Sequence, residues 1–293
     1  MTPLWFSHLL ILLALIVGSI TDFKKREVPD FLNFSLMGIG VVLALLNSIA
    51  TNDFFFLLGS IIGLVSGYLL GALMFYTGQW GGGDAKMLMG IGAIIGIDIR
   101  YFWQPGVELP LFFTVVLSIF IAGTIYGLGY GIYLLYTHRK EFKKAFLARI
   151  REPSIIKVRV GIIAAVLALI GSAIFTSDFY LRWIFAFLAL VVFGGFYLVI
   201  VGKLIEKVCM IRPLAVGELT EGEWIAQEVI VKGKRICGPK DLGISNEQIA
   251  QLKKLKVKTV IIKEGIPFIP GFLLGYIFII LVGNWLIPLI SLF

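Results

Sequence analysis

Two aspartates occupy positions where acid–base chemistry is possible. Asp22 closes the first apolar run, Leu4 to Ile20, and Asp84 follows Gly81, Gly82 and Gly83 at the head of a later one. Two further apolar runs separate them, so a chain that crosses a membrane at each returns Asp84 to the face where Asp22 lies. An ionisable side chain at that depth is costly and is a functional candidate by default. Two carboxylates that meet share one proton, and such a pair supplies both the base that activates water and the acid that protonates a leaving amine. The plainer reading is two interfacial aspartates that start or end helices. The triple glycine permits unusual dihedrals and close approach of another chain, as an extended peptide beside the acid would require. It equally suits a helix break or small-residue packing.

Other chemistries find little support. His8 and His138 are the only histidines, too few for HExxH or a His-built zinc site. Cys209 and Cys237 lie far apart without CxxC spacing and read as reduced packing thiols. Ser60 and Ser172 sit in apolar helices with no GxSG around them. No metal and no cofactor is expected.

The elements that must hold the two aspartates are membrane spans. Of 293 residues, 59% are apolar and 15% charged, and the mean hydropathy is +0.96, which excludes a soluble enzyme. Eight apolar runs are expected to span: Leu4 to Ile20, Phe31 to Ala50, Phe54 to Tyr76, Ala85 to Trp103, Leu111 to Tyr136, Val160 to Thr176, Tyr180 to Val201 and Phe272 to Leu292. The fourth is clean only to Asp98, with Tyr101, Phe102 and Trp103 completing it as an aromatic anchor. If the spans alternate, 24 of the 26 basic residues fall on one side and only Arg100 and Arg182 on the other. By the positive-inside rule the rich side is cytoplasmic, it carries both aspartates, and both termini lie outside. The basic clusters are then topology and anionic-lipid signals, with membrane lipid as a partner and no nucleic acid.

The fold class expected is therefore an all-α polytopic membrane protein of about eight helices, with a small cytoplasmic α+β insert before the last. Residues 1–202 form the membrane core, 203–266 the insert and 267–293 the final helix. Within the insert, Trp224 to Val231 reads as a strand, Lys232-Gly233-Lys234 as a turn and Lys258 to Lys263 as a second strand. Ser245 and Gln248 form a capping box that opens a short amphipathic helix. So small a core is marginal alone and should lean on the membrane core or a partner.

In combination these residues resemble a known family. Thr21-Asp22-Phe23-Lys24-Lys25-Arg26-Glu27-Val28-Pro29-Asp30, then Gly81-Gly82-Gly83-Asp84-Ala85-Lys86, and near the end Ile266-Pro267-Phe268-Ile269-Pro270 leading into the last span, are similar in order, spacing and context to the GxGD-type aspartyl proteases that process type IV prepilins and preflagellins (prearchaellins). The resemblance is strong over residues 15 to 100, extends to 260 to 280 and is thin between, and the insert is similar to one found in archaeal members. It implies Asp22 and Asp84 as the catalytic pair, and an endopeptidase that cuts short basic leaders from pilin or archaellin precursors at the cytoplasmic face of the plasma membrane. It also implies site-shaping roles for Gly81, Gly82, Gly83, Pro29, Pro267, Phe268 and Pro270. Glu27 and Asp30 either attract the basic leader or are solvated acids paired with Lys24 to Arg26, and Lys86 contacts substrate or anchors the interface. Bacterial relatives often add a cysteine-bearing amino-terminal loop and methylate the new terminus. This chain shows neither that loop nor a nucleotide-type glycine motif, so peptidase activity alone is expected. The main alternative is a transporter or ion pathway with intramembrane acids, which predicts inverted repeats and midplane polar groups that the sequence does not display.

Overall fold

In hydrocarbon every backbone N–H and C=O must find its partner inside the segment, so long apolar runs become helices. The computed structural model describes residues 4–103, 110–231 and 233–290. Four helices come first: α1 (Leu4–Lys25), α2 (Asp30–Thr51), α3 (Phe55–Tyr76) and α4 (Gly82–Ile95). A 3-10 turn, Ile99–Trp103, leads to α5 (Leu111–Thr137), α6 (Arg139–Ile150), α7 (Pro153–Phe175) and α8 (Phe179–Cys209). The insert holds β1 (Ile211–Ala215), β2 (Trp224–Ile225), β3 (Val229–Val231), β4 (Lys234–Cys237), α9 (Asn246–Lys254) and β5 (Thr259–Lys263), and the chain continues with α10 (Ile269–Val282) and α11 (Leu286–Ile290).

The protein is a helical, multi-pass membrane protein with a small sheet-bearing insert. Among the described residues, six helices (α1, α2, α3, α5, α7 and α8) are long and apolar enough to cross a membrane, against the eight expected. The difference lies in α4 and α10, each of 14 residues and so rising about 21 Å. Helix α4 stops because Gly96 turns left-handed at φ +69°. Beyond it Arg100 pairs with Asp98 and Asp53, so Tyr101 to Trp103 form a separate turn rather than the end of a span. Helix α10 stops in the same way at Gly283, φ +77°; Leu292, where that run was expected to end, lies outside the described residues.

Helix α8 runs on past Val201 to Cys209, which shortens the insert at its start. The expected strand over Trp224 to Val231 is broken into β2 and β3. The latter pairs antiparallel with β4, Val231 opposite Lys234, and Lys232 of the expected turn lies outside the described residues. The other sheet has the order β1–β5–β2. The capping box forms as read, Ser245 accepting from the Gln248 N–H while its own N–H donates to Gln248 Oε1. Ile244, Leu252 and Val260 are buried in the insert, as is Cys237, whose thiol burial pushes up.

The chain divides into two units. The larger takes in the chain to Gly129, Ala215–Val260 and the residues from Glu264 on; the smaller is Tyr130–Leu214 with Ile261–Lys263. In the smaller unit α7 lies along α8 and α6 packs on α8. In the larger, α4 is sandwiched by α2 and α3, and its Met87, Leu88 and Ile91 are fully buried.

That sandwich depends on glycine. Gly59, Gly63, Gly67 and Gly71 recur every fourth residue along α3 and all face α4 or the residues just past its end, the spacing that lets two membrane helices touch backbone to backbone. A Cβ at Gly63 would sit 2.1 Å from the Gly92 carbonyl oxygen, and one at Gly92 would sit 2.2 Å from the Gly63 oxygen. Ser60, on the same helix, spends its hydroxyl on the Ala93 carbonyl at 2.6 Å, a packing role rather than a nucleophile's.

Candidate active site

Asp22 lies in the last turn of α1 and is buried. One turn earlier on the same helix face, Gly18 looks across at Met87 of α4 and Ile269 of α10: a Cβ there would be 3.1 Å from Met87 Cε and 3.3 Å from Ile269 Cγ2. Asp84, three residues before Met87, occupies the third position of α4 on the same face as that methionine. The carboxyl-bearing turns of α1 and α4 therefore adjoin.

Each carboxylate is held by a backbone donor. The Ile269 N–H, first in α10, donates to Asp22 Oδ2 at 3.1 Å. A helix start has unsatisfied N–H groups and a positive dipole end, so it favours an acceptor with negative charge. The Gly81 N–H donates to Asp84 Oδ2 at 2.9 Å, which closes the helix start on itself and fixes one rotamer of the acid.

The three glycines differ in what surrounds them. None has a positive φ; Gly81 is ordinary extended backbone at φ −74° and ψ 163°. Only Gly83 is pressed by another segment, since a Cβ there would lie 2.9 Å from Val28 Cβ. Val28 is buried, and it seats the α1–α2 linker directly against the turn that carries Asp84. Pro29 follows as the cap of α2, its carbonyl accepting from Leu32 N–H. Fully buried Asn33 donates Nδ2 to the Gly83 carbonyl at 3.3 Å. Asn33→Ala is expected to cost about 1 kcal/mol and to raise hydrogen exchange in the first turn of α4, measurable by mass spectrometry on protein in detergent.

The remaining expected site residues divide. Asp30 pairs with Lys86 at 2.6 Å rather than with Lys24 to Arg26, and Lys86 lies over the Phe34 ring. This exposed pair links α2 to α4 and adds little stability. Glu27 is exposed. Phe268 caps α10, Pro270 stands in its first turn, and Pro267 is buried just before it, so all three set where the Ile269 N–H points.

Three features carry no clear signal in the sequence. Trp80, immediately before the glycines, is buried and stacks on Phe120 with ring centroids 5.6 Å apart, and it also touches Phe268 and Phe272 at 5.7 and 5.1 Å. These rings clamp the α3–α4 loop to α5 and α10. Arg26 ends α1 with φ +57° and its Nε donates to Glu264 Oε1 at 3.2 Å, a second tie between the end of α1 and the approach to α10. The insert reaches the same end of the core, where a Cβ at Gly78 would meet the Trp224 ring at 3.2 Å. Among the described residues no three His, Cys, Asp or Glu side chains gather as a metal site.

Residues 9–128 match the Type IV leader peptidase family. The chain is 36% identical over 118 residues to the preflagellin peptidase of Methanococcus maripaludis, covering 40% of this chain and 44% of that protein. It is 30% identical over 125 residues to that of Methanocaldococcus jannaschii, covering 37% and 53%, and 39% identical over 84 residues to that of Methanococcus voltae, covering 29% and 36%. The chain thus spans about half or less of the length of these curated relatives. The part of the chain that is similar to this family, residues 9–128, holds both aspartates and helices α2, α3 and α4.

Proposed function

We propose that this protein is an aspartyl endopeptidase that removes short basic leaders from preflagellin-like or prepilin-like precursors, with Asp22 and Asp84 as its catalytic pair. The observation that carries the reading is the convergence of two carboxyl-bearing turns, on α1 and α4, each acid held by a backbone N–H. The names of the preflagellin peptidases that resemble residues 9–128 support the substrate class.

In this mechanism one carboxylate is ionised and takes a proton from water, whose oxygen adds to the scissile carbonyl carbon. The other carboxyl, protonated, gives its proton to the carbonyl oxygen. Collapse of the tetrahedral intermediate breaks the C–N bond, the first group returns its proton to the leaving nitrogen, and the second recovers its own from the hydroxyl. The pair ends with one proton between them, as it began. A peptide bond within a helix is shielded by its hydrogen bonds, so the substrate offers unwound backbone at the junction of leader and apolar helix.

The site belongs to the cytoplasmic face and both termini to the exterior, a topology supported by the distribution of basic residues and by the adjacency of the α1 end to the α4 start. The short α4 and α10 with their flanking turns then serve as crossings. The insert steadies the mouth of the site through Trp224 and Glu264 without supplying catalytic groups. Exposed Glu27 meets the basic leader, whereas Asp30 is occupied by Lys86.

Purified protein mixed with preflagellin and prepilin precursors should release the leader at its junction with the apolar helix, located by intact mass. Replacing the leader's Lys and Arg by Gln should raise KM, more so at low salt. Failure of well-folded enzyme to cut any precursor class, with ion or solute flux through reconstituted vesicles, would favour the transporter reading.

A further inference from the structure

The smaller unit contains a cleft that the peptidase reading leaves unused. It lies between α6, α7 and α8 and has a volume of about 680 Å³. Its walls change character along its length. Ile162, Val192 and Phe196 line it where α7 and α8 are wholly apolar. At the other end stand Arg149, Lys203 and Lys207, where α8 leaves its apolar stretch and α7 begins. Glu152 is the one carboxylate in the lining, and it is engaged by Arg149. Among the described residues neither Lys203 nor Lys207 has an ion-pair partner. Gly195 opens the α8 wall, where a Cβ would meet nothing within 4 Å.

A ligand for this cleft must be negative at one end and hydrocarbon at the other, and it must change from one to the other at the level where the apolar helices end. A membrane lipid with an anionic headgroup meets all three conditions, because basic pockets between membrane helices recognise lipid phosphates. We propose that the cleft binds one anionic phospholipid, its phosphate held by Arg149, Lys203 and Lys207 and the upper part of a hydrocarbon chain lying against Ile162, Val192 and Phe196. The volume suits a headgroup and the start of a chain, with the remainder in the bilayer. The lipid would fasten α6 to the ends of α7 and α8, closing a cleft that the protein's own side chains leave open.

The test is native mass spectrometry of the full-length protein in detergent, titrated with phosphatidylglycerol and, separately, phosphatidylcholine. Wild type should hold one phosphatidylglycerol in preference to phosphatidylcholine. With each near-surface cation worth about fivefold in affinity, Lys203→Gln with Lys207→Gln should weaken that binding about 25-fold. Ile162→Trp, which fills the chain end without touching charge, should also displace the lipid. Lys140→Gln with Lys143→Gln, which removes equal charge from α6 outside the cleft, should leave the bound lipid in place. Equal retention of the two lipids, or equal loss in the two double variants, would reduce the effect to diffuse surface attraction and overturn the proposal. Unchanged binding in Ile162→Trp would overturn the placement of the chain. Thermal unfolding of each variant in the same detergent separates loss of lipid from loss of fold.

Discussion

Gly63→Leu is expected to lower precursor cleavage by about 10²-fold or more while the protein still inserts in the membrane. The reason is geometric. At Gly63 even a methyl group would lie 2.1 Å from the Gly92 oxygen and 2.9 Å from its carbon, and both are backbone atoms with no rotamer to escape into. Overpacking of this kind costs about 1–3 kcal/mol when helices can shift, and the shift available is separation of α3 from α4. Helix α4 carries Asp84 in its first turn, so separation moves one carboxyl group of the pair and leaves the other. A displacement of about 1 Å is enough to cost ~10²-fold in rate. Gly63→Ala should fall between wild type and Leu. Gly38→Ala, on α2 where a Cβ meets nothing within 4 Å, should change stability by less than about 0.5 kcal/mol and leave the rate alone. Initial rates of leader release, with membrane yield as the control for insertion, check the series. A normal rate in Gly63→Leu would show that α4 is not held by its contact with α3.

Much of this architecture is legible in the residues, for identifiable reasons. An acid at the end of an apolar run is conspicuous, so Asp22 and Asp84 stand out by hydropathy and position alone. Helices α2 and α3 fall within one residue of the runs Phe31 to Ala50 and Phe54 to Tyr76, because hydropathy changes sharply at both ends. The Ser245 and Gln248 box marks α9 because its hydrogen bonds are local. What is hidden is whatever depends on backbone direction or on distant partners. Nothing in Gly96 or Gly283 announces a left-handed φ that shortens α4 and α10. The donor on Asp22 is a main-chain N–H, which has no side-chain signature, and the Arg26–Glu264 pair joins residues 238 positions apart. Helix α6 is obscured by its own charge, since six of its twelve residues are basic or acidic and composition reads such a segment as an exposed loop. Trp80 is visible within the motif, but a tryptophan beside a membrane boundary suggests an interfacial anchor before it suggests a buried clamp. The fourfold glycine spacing of α3 is readable and links helix packing directly to the placement of Asp84.

The largest effect belongs to the two aspartates themselves. Asparagine keeps nearly the size and polarity of aspartate but neither ionises nor exchanges a proton at neutral pH. In Asp84→Asn the side-chain oxygen still accepts from the Gly81 N–H, and in Asp22→Asn from Ile269, so the helix starts survive while the acid–base function is lost. Because the proposed mechanism needs both roles in each turnover, either change should cost at least the ~10²–10⁴-fold that a positioned acid or base contributes. Glutamate restores the charge but displaces it by about an ångström, and should recover little of the activity. The most direct measurement is the rate of leader release by purified wild-type, Asp22→Asn and Asp84→Asn proteins, each prepared in a host without its own leader peptidase and each shown to be folded by thermal unfolding. The peptidase reading predicts a single cut by wild type, none by either Asn variant, and bound but intact precursor in both. Precursor cleavage at the wild-type rate by either variant would contradict it.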